Sequence, residues 1–184
     1  MRVIIAGLLG GLAMCAWATV AHLSPLATIG IHTMPNDAVV VAALKLNLGK
    51  TGGVYIYPTP PASGPMAPSA GAPTTQDAGM LSYDPAAPTG LAPRQLGVEF
   101  ALEMIESLLM AAIAALAAVG FARRWTIAIL VGAIAGMATN LSSWNWWGFG
   151  LDYTLANAFI ELMKFVVAGL VIALLLGRRG KTAT

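Results

Sequence analysis

An all-α membrane protein with four transmembrane helices, the first two joined by a largely irregular external segment, is the fold class that three features of the sequence predict. The 184 residues are 58% hydrophobic and only 10% charged, more apolar surface than one small soluble core can hide. The apolar residues fall into four blocks, each long enough for a hydrocarbon layer of roughly 30 Å. Finally, Arg2, Arg123, Arg124, Arg178, Arg179 and Lys181 all land on one side of a bilayer if the chain crosses four times, and no acidic residue shares that side.

The first block, within residues 1–23, runs from Val3 to Leu23 behind Arg2 and reads as an uncleaved signal-anchor helix. Ala16-Trp17-Ala18 has the small-x-small form of a cleavage site, which makes a signal peptide the alternative. Cys15 is the sole cysteine, so no disulfide can form within the chain. Residues 24–57 form a small external segment. In it Pro35-Asn36-Asp37 marks a helix start, Ala38 to Leu48 has helical spacing, Gly49 is the stop, and Val54 to Tyr57 is extended. About 34 residues are too few for an independent core, so this segment is expected on the membrane surface or on a partner. Residues 58–95 are a linker: residues 58–93 hold nine of the eleven prolines and only Asp77 and Asp84 as charges, a composition biased to extended chain.

A three-helix transmembrane bundle is expected over 96–177, with helices at 96–122, 125–142 and 155–177, followed by a basic tail at 178–184. The positive-inside rule places both termini and the turn at Arg123-Arg124 in the cytoplasm, and residues 24–95 and 143–154 outside, which in a bacterium is the periplasm. Trp144, Trp146, Trp147 and Tyr153 mark the outer rim and Trp125 the inner one, where amphipathic rings settle among headgroups. Gly7-x-x-x-Gly11, Gly132-x-x-x-Gly136 and the alanines from Ala111 to Ala118 permit close helix approach.

A polar layer crosses these apolar blocks. Counted from the cytoplasmic arginines at 1.5 Å per residue, Glu106, Glu161 and Asn140 lie roughly 25 Å deep, Lys164 roughly 21 Å, and His22 and Glu103 roughly 30 Å. Glu99, Glu103 and Glu106 share one helical face. Ionisable groups at such depth cost on the order of 2–4 kcal/mol unless paired, which makes an intramembrane glutamate or lysine a candidate functional site. The expected pair is Lys164 with Glu106 or Glu161, stapling the helices together. A proton or cation path along the acidic face, or a metal held by His22, Glu103 and Glu106, are the alternatives.

Other chemistry is sparse. Gly49-Lys50-Thr51 and Gly180-Lys181-Thr182 lack the earlier glycine of a phosphate-binding loop, with Leu44 and Leu175 in its place. No dinucleotide-binding, metalloprotease or serine-hydrolase motif is present in the sequence. Basic residues sit at helix ends rather than interleaved with aromatics along a face, which argues against nucleic acid as a partner. Pigments and quinones rest on apolar helix faces and leave little trace in a sequence, so the cofactor stays unassigned.

The order Trp17…Ala21-His22-Leu23, Met34-Pro35-Asn36-Asp37…Ala42-Ala43-Leu44, Gly53-Val54-Tyr55-Ile56-Tyr57-Pro58 and Trp144-Asn145-Trp146-Trp147-Gly148-Phe149…Tyr153-Thr154-Leu155-Ala156-Asn157 resembles a group of uncharacterised small bacterial inner-membrane proteins. The likeness spans most of the chain except the proline-rich linker; it implies a bacterial inner membrane and supplies neither an activity nor a functional residue. The expected function is that of a non-catalytic accessory or structural subunit in a larger inner-membrane complex, such as a respiratory or photosynthetic one, with lipid and other membrane subunits as partners. A small transporter or channel component built on the Glu/Lys cluster is the alternative.

Overall fold

The computed structural model describes residues 1–57, 77–88, 90, 92–117 and 119–177. The chain divides into two compact units, one of Met1–Ile31 with Leu91–Thr184 and one of His32–Gly90.

The first unit is helical. Its long elements are α1 (Arg2–His22), α3 (Pro93–Leu116), α4 (Phe121–Gly136) and α6 (Leu151–Gly177). A π turn, Met137–Leu141, carries α4 without interruption into α5 (Ser142–Trp147). Among the described residues three helices are long and apolar enough to cross a membrane: Arg2–His22, the continuous run Phe121–Trp147, and Leu151–Gly177. Helix α3 has the length, at 24 residues, but carries Arg94, Glu99, Glu103 and Glu106.

Small residues set the packing. The buried positions of α1 include Gly7, Gly11, Met14, Ala18 and Ala21, a seam that repeats every 3.5 residues. Along it Gly7 lies against Leu108 and Gly11 against Met104, so α1 and α3 run antiparallel. A Cβ at Gly7 would fall 2.9 Å from the Leu108 Cα, so only glycine lets the two backbones close. That closeness allows Ser107 Oγ to donate to the Gly7 carbonyl at 2.8 Å, a fully buried bond between helices. The same device joins α4 to α6, where a Cβ at Gly136 would meet the Ala158 carbonyl at 2.9 Å and one at Gly132 the Phe165 Cβ at 2.7 Å. Helix α6 is the common wall. It packs on both α1 and α4, and its backbone accepts from two indoles, Trp17 Nε1 at Ile160 O and Trp125 Nε1 at Val166 O, each at 3.0 Å.

The π turn leaves carbonyls of the preceding turn to find other donors. Thr139 Oγ1 takes Ala135 O at 2.8 Å, and Asn140 Nδ2 takes Gly136 O at 3.0 Å.

Five helix bounds differ from those expected. The expected helix end at 142 and external segment at 143–154 give way to helix through Trp147 and a restart at Leu151, a connection of three residues. The stop is Gly148, with φ +70°, where a left-handed residue ends the helix; the polar and aromatic Ser142-Ser143-Trp144-Asn145 run looks like loop but continues the helical backbone. The expected helix 96–122 begins earlier, at Pro93, whose fixed φ suits a first turn, and ends earlier, as Ala117 turns extended at φ −83°, ψ 112°. Arg123 and Arg124 then lie in the first turn of α4 rather than in the connecting turn.

In the second unit α2 (Asp37–Leu48) starts after Asn36 and is closed by Gly49, as the sequence predicts. The extended piece at Tyr57 is strand β1 (Gly53–Tyr57), and it pairs antiparallel with β2 (Gly79–Tyr83), Tyr55 opposite Leu81. This corrects the reading of 58–95 as linker throughout and adds a two-stranded sheet to the all-α expectation. Gly79–Tyr83 is only five residues long, lacks an apolar/polar alternation and is flanked by proline-rich sequence, which is why it reads as linker. Tyr83 Oη donates to Gly49 O at 3.1 Å and so ties β2 to the end of α2. The proline-rich stretch 58–76 and the basic tail 178–184 lie outside the described residues.

Candidate functional site

Helices α3 and α6 each present two ionisable residues one turn apart on one face: Glu103 with Glu106, and Glu161 with Lys164. The four meet. Lys164 Nζ lies 3.2 Å from Glu161 Oε2, 3.6 Å from Glu106 Oε2 and 3.9 Å from Glu103 Oε1. Lys164 is the fourteenth residue of the 27 in α6, so the cluster sits at the middle of that helix.

Its members differ in access. The side chains of Glu103 and Lys164 are 2% and 8% exposed, that of Glu161 is 22% exposed and that of Glu106 is 36% exposed. The half-buried Cys15 of α1 lies beside Glu103. Glu103 Oε1 and Glu106 Oε2 are buried without a hydrogen-bond partner. Three carboxylates therefore face one ammonium, a formal excess of two negative charges in a setting where Coulomb terms are several times stronger than in water. The arrangement can hold the helices in one register and can bind positive charge. Thr154 Oγ1, near the start of α6, is the third buried side-chain atom without a partner among the described residues.

The sequence expects Lys164 beside Glu106 or Glu161; both are within 4 Å, and Glu103 joins them. The inclusion of Glu103 follows from the shortened α3. The Arg124 guanidinium donates from Nε to Ala114 O at 3.0 Å, from Nη2 to Ala117 O at 3.1 Å and from Nη1 to Leu176 O at 3.0 Å. It thus fixes the ends of α3 and α6 at one level. Counted from Ala117 instead of Arg123, Glu106 and Glu103 lie roughly 16 and 21 Å along the axis, and Lys164, counted from Leu176, lies roughly 18 Å along it, between the two.

His22 and Asn140 do not join. His22 is exposed at the end of α1, with Nδ1 2.8 Å from Ala18 O, and Asn140 bonds only within its own helical run. Among the described residues no group of three His, Cys, Asp or Glu is placed to hold a metal ion, so the combination of His22, Glu103 and Glu106 forms no such site.

Of the aromatics, Trp144, Trp146 and Trp147 are exposed on the last turns before Gly148. Tyr153 is half-buried, edge-on to Phe149 at 5.6 Å between ring centroids. Trp125 packs on α6 and Phe121. Arg124, Ser107 and Trp17 make the interhelical bonds that residue-by-residue reading missed. Ser107, four residues after Glu103 and so on the same face, carried the one available signal.

No protein family, curated protein or solved structure matches this chain.

Proposed function

We propose that the chain is a non-catalytic accessory subunit of a larger bacterial inner-membrane complex, respiratory or photosynthetic in kind, in which α3 crosses the bilayer as a fourth span. In this reading both termini are cytoplasmic, and residues 24–95 and the short connection after Trp147 are periplasmic. The charge bias of Arg2, Arg123 and Arg124 and the resemblance to small inner-membrane proteins support that orientation.

One observation carries the proposal: Glu106, at the middle of the bundle, leaves 36% of its side chain on the outer flank of the isolated chain. A carboxyl group facing hydrocarbon there costs several kcal/mol, whereas one covered by another subunit does not. The accessory role predicts that the tagged chain, drawn from native membranes in mild detergent, brings down larger membrane subunits in fixed stoichiometry. A monodisperse, lone chain would overturn it.

A second reading, transport, rests on the two buried carboxyl oxygens around Lys164 that lack hydrogen-bond partners. The purified chain in liposomes should then support a proton or cation flux that Glu106→Gln abolishes. Absence of flux from the unaltered chain removes this reading.

A further inference from the structure

The acidic stripe of α3 extends beyond the cluster. Glu99 and Glu106 are seven residues apart, two turns and roughly 10 Å along one side of the helix. Glu99 is exposed and Glu106 partly so, while Glu103 between them turns inward to Lys164. The whole of 93–102 is exposed, and the apolar residues there, Leu96, Val98, Phe100 and Leu102, each leave 48–53% of their surface open. Arg94, five residues before Glu99, lies about 140° round the helix and cannot offset the stripe.

We infer that this stripe seats a transmembrane helix of another subunit that presents a lysine or arginine at the depth of Glu106; the inference rests on the accessory-subunit reading. Charge complementarity selects the occupant. Glu103, Glu106 and their neighbour Glu161 bring three carboxylates to one ammonium, with Glu99 a further charge two turns along, so a neutral apolar helix would leave the excess charge in place, and lipid headgroups do not reach the depth of Glu106. A second copy is the poorer fit, because Lys164, the basic residue these helices carry at this level, is already enclosed by the chain's own carboxylates. The partner helix would cover the exposed apolar turns of α3 and the open side of Glu106 together.

The test is photo-crosslinking of the full chain in native membranes, with benzoylphenylalanine at Leu102 or Leu109 on α3 and, as a control, at the exposed Ile134 of α4. The expected result is one polypeptide captured from both α3 positions through a hydrophobic segment that contains Lys or Arg. Glu106→Lys should lower that yield roughly tenfold or more by placing like charges together, Glu106→Gln should lower it less, and the Ile134 products should not change. Glu99→Lys, at an exposed position that makes no ion pair among the described residues, repeats the test should Glu106→Lys fail to fold. Capture of a segment without a basic residue, capture of a second copy, or yields indifferent to both lysine substitutions would overturn the inference. If Leu102 and Leu109 reach only lipid while the tagged chain still brings down stoichiometric subunits, the inference falls and the accessory role stands. If the chain also purifies alone, both fall.

Discussion

Lys164→Met should cost about 3–5 kcal/mol of folding stability, the largest loss expected from any single substitution in the bundle. Methionine keeps the length and fills the same space, so the loss isolates the charge. With the ammonium gone, Glu103 at 2% exposure, Glu106 and Glu161 are left as three carboxyl groups around one point with no compensating partner. The penalty is mainly that of stranding what remains, and so it can be undone from the other side. Adding Glu103→Gln and Glu161→Gln to Lys164→Met should recover much of the loss, although each substitution alone is destabilising or neutral. Lys164→Arg should sit between, keeping the charge but crowding a site framed by α3 and α6. Unfolding of the purified chain by a denaturing detergent, followed by far-UV circular dichroism, measures all of these. A loss below about 1 kcal/mol for Lys164→Met, the level of an exposed ion pair, would show that the cluster is hydrated and structurally unimportant.

Arg124→Ala is the second large effect, expected at roughly 2–4 kcal/mol from the loss of charge-assisted bonds to Ala114 O, Ala117 O and Leu176 O. These carbonyls belong to the last turn of α3, the residue that follows it and the last turn of α6. A cation is favoured there by the negative ends of both helix dipoles. Arg124→Lys should rescue little, because an ammonium on a flexible stem cannot address three acceptors on two helices as the planar guanidinium does. The exposed Arg123 is the internal control: Arg123→Ala should change stability by less than about 0.5 kcal/mol. Equal effects at the two arginines would show that the charge matters only for orientation. Since Arg124 also levels α3 with α6, its loss should weaken the contacts of Lys164 as well, and Arg124→Ala with Lys164→Met should cost less than the sum of the two.

Much of this was legible from residue types. The apolar blocks, the packing glycines Gly7, Gly11, Gly132 and Gly136, the helix between Asn36 and Gly49, and the ionisable residues of α3 and α6 all follow from composition and spacing. Helix ends were harder. The alanine-rich stretch after Ala111 is compatible with helix at every position, so its end at Leu116 is decided by tertiary contacts, above all by Arg124 folding back on the carbonyls. Trp144, Trp146 and Trp147 have the composition of an interface and the backbone of a helix. The strand Gly79–Tyr83 exists only because Gly53–Tyr57 pairs with it, a contact that no local pattern reveals. The cluster was legible as a set of residues but not as a set of distances, because its levels were counted from an arginine that does not lie where a continuous helix would put it.

The Lys164 cluster also has a consequence in time. A chain made from its N-terminus offers α3 to the insertion machinery when Lys164, 58 positions after Glu106, has not yet been translated. With Glu99, Glu103 and Glu106 uncompensated, α3 is a poor candidate for lateral release into lipid by itself. Helix α1 can precede it as a span, but it brings glycines and a serine-bonded carbonyl to α3, not a counter-charge. If α3 is the proposed fourth span, it is therefore expected to wait beside the translocon until α6 emerges and to enter the bilayer with it, a delay that a reporter fused after Gly150 would register as an α3 still outside the membrane.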